Sequence, residues 1–228
     1  MNPWLFAPPL TLGAAYLYWR YFWFFRNPSR VPPPGENIVS PADGTVVYTR
    51  LIMGNQEVVT VKQGVAVQLA DIVREDLDYP KLCIGIFMSP FNVHYNRIPL
   101  AGRVASVKHH PPKPANLPMT AMHWRTMLDW PPFHRHSRHI IQNERNVTRI
   151  ESTYKGCQFP YYVVQIAGWS VNGIDSYVEL GEEVSKGKIF GIIRIGSQVD
   201  LVLPYLSDMK IMVWPGDRVR AGETILVA

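Results

Sequence analysis

Short apolar runs separated by glycine, proline and asparagine fill most of this chain. Gly44–Leu51, Glu57–Lys62, Ala66–Leu69, Leu82–Met88, Arg103–Lys108, Val147–Ser152 and Tyr161–Ile166 are each rich in Val, Ile or Tyr, and most are bounded by turn-forming residues. Near the C-terminus, Gly181-Glu-Glu-Val-Ser-Lys-Gly187 and Pro215-Gly-Asp-Arg-Val-Arg-Ala-Gly-Glu-Thr224 read as glycine-bracketed turns that lead into further apolar strands. The pattern predicts a mainly β (α+β) fold in one domain spanning residues 31–228.

The first thirty residues follow a different pattern. From Trp4 to Phe25 the segment is continuously apolar and aromatic, with Arg20 its single charge. Pro8-Pro9 is expected to delay helix formation until Leu10. That leaves a hydrophobic helix over Leu10–Phe25, long enough to dip into a bilayer or barely cross it. Trp19, Tyr21, Phe22 and Trp23 form an interfacial aromatic belt, and Arg20, Arg26 and Arg30 would put the following domain on the cytoplasmic side of a cell membrane. Packing of the helix on the domain is the competing reading. Val31-Pro-Pro-Pro-Gly35 is a stiff linker between this segment and the body.

Composition narrows the partners. The 228 residues carry a net charge of +5, with 47% hydrophobic and 18% charged positions. Such a balance suits a globular chain attracted to anionic surfaces, and the aromatic N-terminus favours a lipid surface over nucleic acid. Cys83 and Cys157 make no disulfide framework and have no metal-ligand spacing, so they read as free thiols. Between Lys108 and Ile141 the strand pattern fails. That stretch is dense in proline and holds six of the seven histidines, His109, His110, His123, His134, His136 and His139. It is expected to be a long loop, a lid carrying Lys113, Arg125, Arg135 and Arg138 over a lipid headgroup. His134 and His136 lie close together, but no carboxylate or cysteine pattern completes a metal site, and no metal is expected.

Five segments occur in order: Phe24-Phe-Arg-Asn-Pro28, Ser40-Pro-Ala-Asp-Gly44, Phe87-Met-Ser-Pro-Phe-Asn-Val-His-Tyr-Asn-Arg-Ile-Pro99, Asn143-Glu-Arg-Asn146, and Gly191-Ile-Ile-Arg-Ile-Gly-Ser-Gln-Val-Asp200. Together they resemble the phosphatidylserine decarboxylase family, from about Phe24 to Ala228. The glycine punctuation of the C-terminal part also resembles the barrel-sandwich hybrid folds of lipoyl and biotinyl domains.

The resemblance implies self-cleavage between Gly196 and Ser197, giving a β chain 1–196 and an α chain 197–228 that stay together in one core. Attack of the Ser197 hydroxyl on the Gly196 carbonyl gives an ester, elimination then leaves dehydroalanine, and loss of ammonia by hydrolysis turns this into a covalent pyruvoyl group. That group would take up the amine of a serine headgroup and act as the electron sink for decarboxylation of phosphatidylserine to phosphatidylethanolamine and carbon dioxide. The resemblance assigns the base to His94 and the residue orienting it to Asp43. His94 would also return a proton to the substrate. Some members carry a second histidine three residues after the first, where this chain has Arg97, a candidate for binding the lipid phosphate. Ser170-Val-Asn-Gly-Ile-Asp175 looks like the longer bacterial members. Asn143–Asn146 reads as structural or pocket-forming. Expected partners are the phospholipid, the membrane surface and the chain's own cleaved halves; a homo-oligomer is compatible with the sequence.

Three other readings stay open on the residues alone. A serine hydrolase would use Ser197, His94 and Asp43, although Gln198-Val199 replaces the glycine of a nucleophile elbow. A lipid-binding relative that never matures would keep the same motifs. A biotinyl or lipoyl carrier would use Lys210 in Asp208-Met-Lys-Ile-Met212, but too few residues follow it to complete such a domain.

Overall fold

The computed structural model describes residues 7–54, 56–60, 66–75, 77–78, 80–169, 173–194 and 196–228. Residues 1–6, 61–62, 170–172 and 195, which belong to segments named above, lie outside the described residues.

The N-terminal segment is helical from Ala7, with α1 spanning Ala7–Tyr18 and a wider π-helical turn continuing over Trp19–Trp23. The expected start at Leu10 is corrected. Pro8 and Pro9 fall in the first turn, where the missing N–H has no intrahelical partner to lose. Leu10, Leu12, Leu17, Tyr21 and Phe22 are exposed, so this stretch of the helix does not bury its apolar side chains on the body. Among the described residues no helix is long and apolar enough to cross a membrane.

The body is built on an antiparallel nine-stranded sheet. Its order is Glu183–Val184, Gly102–His110, Arg145–Tyr154, Tyr161–Ile166, Ser197–Pro204, Lys81–Met88, Gly44–Ile52 and Arg218–Val219, with Cys157–Gln158 added beside Arg145–Tyr154. The strands expected at Gly44, Leu82, Arg103, Val147 and Tyr161 all form, most of them longer by a residue or more at one or both ends. A smaller sheet pairs Ile174–Ser176 and Tyr95–Arg97 on either side of Ile189–Ile193.

Strand alternation divides the apolar side chains between two cores. Val46, Ile84, Ile150, Val163, Val199 and Leu201 join one; Val47, Phe87, Val147, Val164, Val202 and Ile140 join the other. Two expectations give way to helices. The strand at Ala66 ends at Gln68, and α2 (Leu69–Val73) begins there, with the Gln68 N–H donating to the Asp71 carboxylate at 2.9 Å. The proline- and histidine-rich stretch is not one long loop: it contains α3 (Thr120–Met127) and α4 (His139–Gln142). Met119, Met122, Phe133 and Ile140 of that stretch pack into the second core. An apolar residue every few positions was enough to dock it despite its prolines.

Gly85 lies in register between Asp200 on one neighbouring strand and Tyr48 on the other. With no side chain at Gly85, the Tyr48 ring lies across it, and the Tyr48 hydroxyl donates to Asp200 Oδ1 at 2.7 Å. A Cβ at Gly85 would collide with that ring. Gly85→Ala is expected to lower stability by about 1–3 kcal/mol, the usual cost of overpacking a buried position. Urea unfolding of the variant checks this; unchanged stability would mean that Tyr48 is not held over the glycine.

Candidate active site

Gly196 and Ser197 stand where the chain passes from the small sheet to the large one. The Ile189–Ile193 strand leads in, and the Arg194 guanidinium is held by Asp175 at 2.8 Å. Ser197 opens the Ser197–Pro204 strand, which pairs with Lys81–Met88 on one side and, from Gln198 onward, with Tyr161–Ile166 on the other. Gly196 has φ +60°, a left-handed conformation that glycine adopts without strain, and open space surrounds the position a Cβ would take. The glycine is therefore required by the backbone and not by crowding.

Ser197 is fully buried, and its hydroxyl donates to the Met88 sulfur at 3.4 Å. The Asn96 amide donates to the same sulfur at 3.6 Å, and Asn96 Oδ1 accepts from Gln165 at 2.7 Å. Ser197 and the strand that follows His94 thus meet at Met88. The Ile193 N–H donates to the His94 carbonyl at 3.4 Å, tying the same segment to the chain entering the site.

His94 is fully buried, and its ring lies 4.3 Å from that of Phe24 at 34°. Its Nδ1 is 3.0 Å from the Asn92 carbonyl, an acceptor, which assigns the proton to Nδ1 and leaves a lone pair on Nε2. Nε2 is buried with no hydrogen-bond partner. Burial pushes the imidazole down to about 3, the Asn92 carbonyl opposes this, and the Arg26 charge adds to it. The ring is therefore neutral at physiological pH and carries a free, dry acceptor.

Asp43 does not hold that ring in this structure. Its Oδ2 accepts from Arg30 at 2.8 Å and its Oδ1 from the Ala221 N–H at 2.8 Å. Arg30 also reaches Glu223 at 3.2 Å. The expected Asp43–His94 contact is thus replaced by an Asp43–Arg30 pair, while the Asn92 carbonyl orients the imidazole. Arg97 is likewise engaged internally. It donates to the Gly187 carbonyl at 2.9 Å, to Asn27 Oδ1 at 2.8 Å and to the Pro28 carbonyl at 3.3 Å. Three donor contacts of Arg97 are thus spent inside the fold, and the residue is only 9% exposed, so the geometry lends no support to that expectation.

A cavity of about 220 Å³ opens on Gly196, lined among others by Phe87, Pro90, Met119, His123 and Trp169. Beside it, sharing His123, lies a polar groove of about 450 Å³ flanked by Asp43, Ser89, Asn92, Arg218 and Arg220. A still larger groove, about 740 Å³, runs past Arg103, Arg149 and Glu151, but none of the candidate residues lines it. Met119, Thr120 and His123 of the α3 stretch share the lining of the cavity of about 220 Å³ with Gly196. His123, rather than Lys113, Arg125, Arg135 or Arg138, is the residue that stretch presents to both this cavity and the polar groove.

Sequence reasoning missed a second buried polar group, on the opposite face of the Ser197 strand. Gln198 donates to Tyr48 and to Asp200 Oδ1, each at 2.8 Å, and its Oε1 accepts from His139 Nε2 at 3.0 Å. His139 is pushed down to about 4 by burial, partly offset by the Gln198 hydrogen bond. Burial pushes Asp200 up to about 6, against the Tyr48 and Gln198 hydrogen bonds and the Arg145 charge. The signal available in the sequence was a Gln and an Asp two apart in an otherwise apolar strand, which places both on one face.

Because the folded state binds the Asp200 proton more tightly than the unfolded chain, its stabilising contribution is complete below pH ~4 and is lost as pH rises through about 6. Relative to Asp200→Asn, the wild type should lose roughly 2–3 kcal/mol between pH ~4 and pH ~7. Denaturation curves of both proteins at the two pH values measure this. A difference that does not change with pH would place an ordinary carboxylate at Asp200.

The comparisons with known proteins agree with the ordered motifs. The family model described as phosphatidylserine decarboxylase matches residues 17–227. The phosphatidylserine decarboxylase proenzyme of Pelobacter propionicus is 37% identical over 205 residues, covering 90% of this chain and 74% of the relative. The proenzyme of Geotalea uraniireducens is 36% identical over 204 residues, covering 89% and 76%, and that of Chlorobaculum tepidum 34% over 210 residues, covering 90% and 75%. With a match of this extent reaching from the N-terminal helix to the last strand, the chain belongs to the phosphatidylserine decarboxylase family.

Proposed function

We propose that this chain is a proenzyme that cleaves itself between Gly196 and Ser197 and then decarboxylates phosphatidylserine to phosphatidylethanolamine. The observation that carries the reading is the Gly196–Ser197 peptide itself. It joins a contact-free, left-handed glycine to a buried serine at the head of a central strand. Cleavage there leaves residues 197–204 clasped between two strands of the other piece, so the halves remain one body.

His94 is the base of this reading. A neutral imidazole with a free Nε2 can take the Ser197 hydroxyl proton as Oγ bonds to the Gly196 carbonyl carbon, and hand it to the Ser197 nitrogen as the peptide C–N bond breaks. Nε2 has no partner to lose, and Ser197 Oγ is held only by a thioether, a weak acceptor that releases it readily. Asp43 acts at one remove, fixing Arg30 and the Ala221 backbone. Fit to a Ser197-derived pyruvoyl group is supported by the buried hydroxyl and the cavity at Gly196. When formed, that group supplies an electrophilic carbonyl and an electron sink for loss of carbon dioxide. The apolar cavity walls exclude water around the headgroup, and His123 and Arg218 stand at the adjoining groove on the side an anionic headgroup would occupy.

In the same reading, residues 1–30 associate with the membrane, through the exposed apolar face of α1, and residues 31–228 form the decarboxylase domain at its cytoplasmic surface. A hydrolase is disfavoured by the match to the phosphatidylserine decarboxylase family and by Gln198-Val199, which stands where a nucleophile elbow needs a glycine.

Intact mass under denaturing conditions tests the cleavage. The wild type should give residues 1–196 and 197–228, the latter blocked at its N-terminus, and Ser197→Ala should stay full length and inactive. Normal processing of Ser197→Ala would remove Ser197 as the site. His94→Ala should slow cleavage by about 10²-fold or more, the usual contribution of a general base. Removing α1 should abolish co-sedimentation with phosphatidylserine vesicles; unchanged binding would assign membrane contact to another surface.

A further inference from the structure

The Phe24-Phe-Arg-Asn-Pro28 motif has no part in the chemistry above, yet the structure binds this segment to every candidate residue that precedes the cleavage site. The Phe24 ring, 0% exposed, lies on the His94 imidazole at 4.3 Å. Arg26 donates to the Phe91 carbonyl at 2.6 Å, in the turn whose Asn92 carbonyl holds His94 Nδ1. Asn27 Oδ1 and the Pro28 carbonyl accept from Arg97. Arg30 makes the ion pair with Asp43 at 2.8 Å, both side chains nearly buried. Four successive attachments within seven residues are more than a linker needs.

We propose that residues 24–30 form a strap that closes the self-cleavage centre, with Phe24 keeping His94 dry and Arg30 fixing Asp43, so that Gly196–Ser197 cleavage requires the strap to be seated. The proposal rests on the self-cleavage reading above. Phe24 and Arg30 are positioning residues: neither touches the bond that breaks. Their effect passes through the imidazole and through Asp43, which grips the Ala221 backbone of the segment that becomes the α chain.

The physical argument concerns water. An imidazole that must accept a proton from a serine hydroxyl has to be neutral, and a water-filled site lets it protonate near its ordinary value of 6.5. Phe24 covers His94, and desolvation is the largest influence holding that ring deprotonated. The polar and charged groups acting on His94 are the Asn92 carbonyl and Arg26; Asp43 is paired with Arg30, and Arg97 with Asn27 and Gly187. Arg26 belongs to the strap too, so lifting the strap removes both the cover and the opposing charge. Both changes raise the proton affinity of His94 and lower the fraction able to act as base.

The test follows two readouts on the full chain. In a pulse-chase after cell-free synthesis with detergent, the wild type should convert from full length to its two pieces at nearly the same rate near pH 5.5 and pH 7.5. Phe24→Ala should convert up to about tenfold more slowly at the lower pH, as expected if the base titrates near 6.5, and Phe24→Tyr should restore the wild-type profile. Should Phe24→Ala fail to fold in that assay, Phe24→Leu, which retains most of the apolar volume, replaces it and should give an intermediate profile. The second readout is the NMR titration of His94 in Ser197→Ala, with and without Phe24→Ala. The imidazole should stay unprotonated to well below pH 5 with Phe24 and titrate toward 6.5 without it. Equal titration in the two proteins, or equal pH profiles of cleavage, would overturn the strap. A wild-type chain that never cleaves would instead overturn the proposed function, and the His94 titration would still decide the strap.

Discussion

The pairing of Ser197–Pro204 with a strand on each side is the constraint on which the rest of the structure depends. Under the proposed cleavage between Gly196 and Ser197, the chain must keep both new ends in place without the covalent bond. An edge strand would not meet this demand, since half of its backbone groups face water and it peels away readily. Here the segment after the cut lies inside the sheet, and the rest of residues 197–228 is woven back as well. Arg218–Val219 adds to the far edge beside Gly44–Ile52, and Ile225–Val227 pairs with Ile38–Val39. The segment before the cut is held separately, through the small sheet and the Arg194–Asp175 pair. The bond between the two systems carries none of the pairing.

The same constraint explains the polarity of the central strand. Ser197 faces one core and Gln198 and Asp200 the other, because side chains alternate. Buried polar groups on both faces of one strand are costly unless each finds a partner. On the Gln198 face the partners are Tyr48, Asp200 and His139, and the route from Tyr48 to Asp200 exists only because Gly85 carries no side chain. On the Ser197 face the hydroxyl has a weak thioether acceptor. Strong fixation thus falls on Gln198 and weak fixation on the Ser197 hydroxyl. That division suits a group that must move toward a carbonyl while its neighbour stays still.

Much of this was legible in the sequence, and for identifiable reasons. Strands such as Tyr161–Ile166 and Lys81–Met88 were found because β-branched and aromatic runs between turn residues have few other ways to fold. The Gly-Ser pair and the Asp43, His94 and Ser197 set were expected from ordered motifs, and the structure pairs Asp43 with Arg30 instead of His94. Partner choice was not legible. Nothing in the sequence near Asp43 indicates that Arg30 and the Ala221 backbone would occupy its two oxygens, because those contacts depend on how the chain entrance and the C-terminal turn meet. The internal contacts of Arg97 were hidden for the same reason: a basic residue in a motif looks available until the carbonyls around it are known. In the stretch around α3 and α4, proline density suggested a loop, but the burial of Met122, Phe133 and Ile140 outweighed local propensity.

Burial also links the N-terminal helix to the chemistry. A neutral His94 could have been obtained with any apolar cover from the body, yet the cover comes from Phe24, directly after the helical segment whose outward side chains are Leu10, Leu17, Tyr21 and Phe22. An exposed apolar helix has its lowest free energy in a lipid interface, and a rigid helical connection transmits its position to the residue that follows it. Phe24 continues the helical backbone, with φ −63° and ψ −42°, and its N–H donates to the Trp19 carbonyl, so no flexible joint separates the two. The exposed apolar helix and the ring that covers His94 are therefore one continuous piece of structure. The segment that continues from the helix touches His94 first along the chain, through Phe24, and then Phe91, Arg97 and Asp43 through Arg26, Asn27 and Arg30.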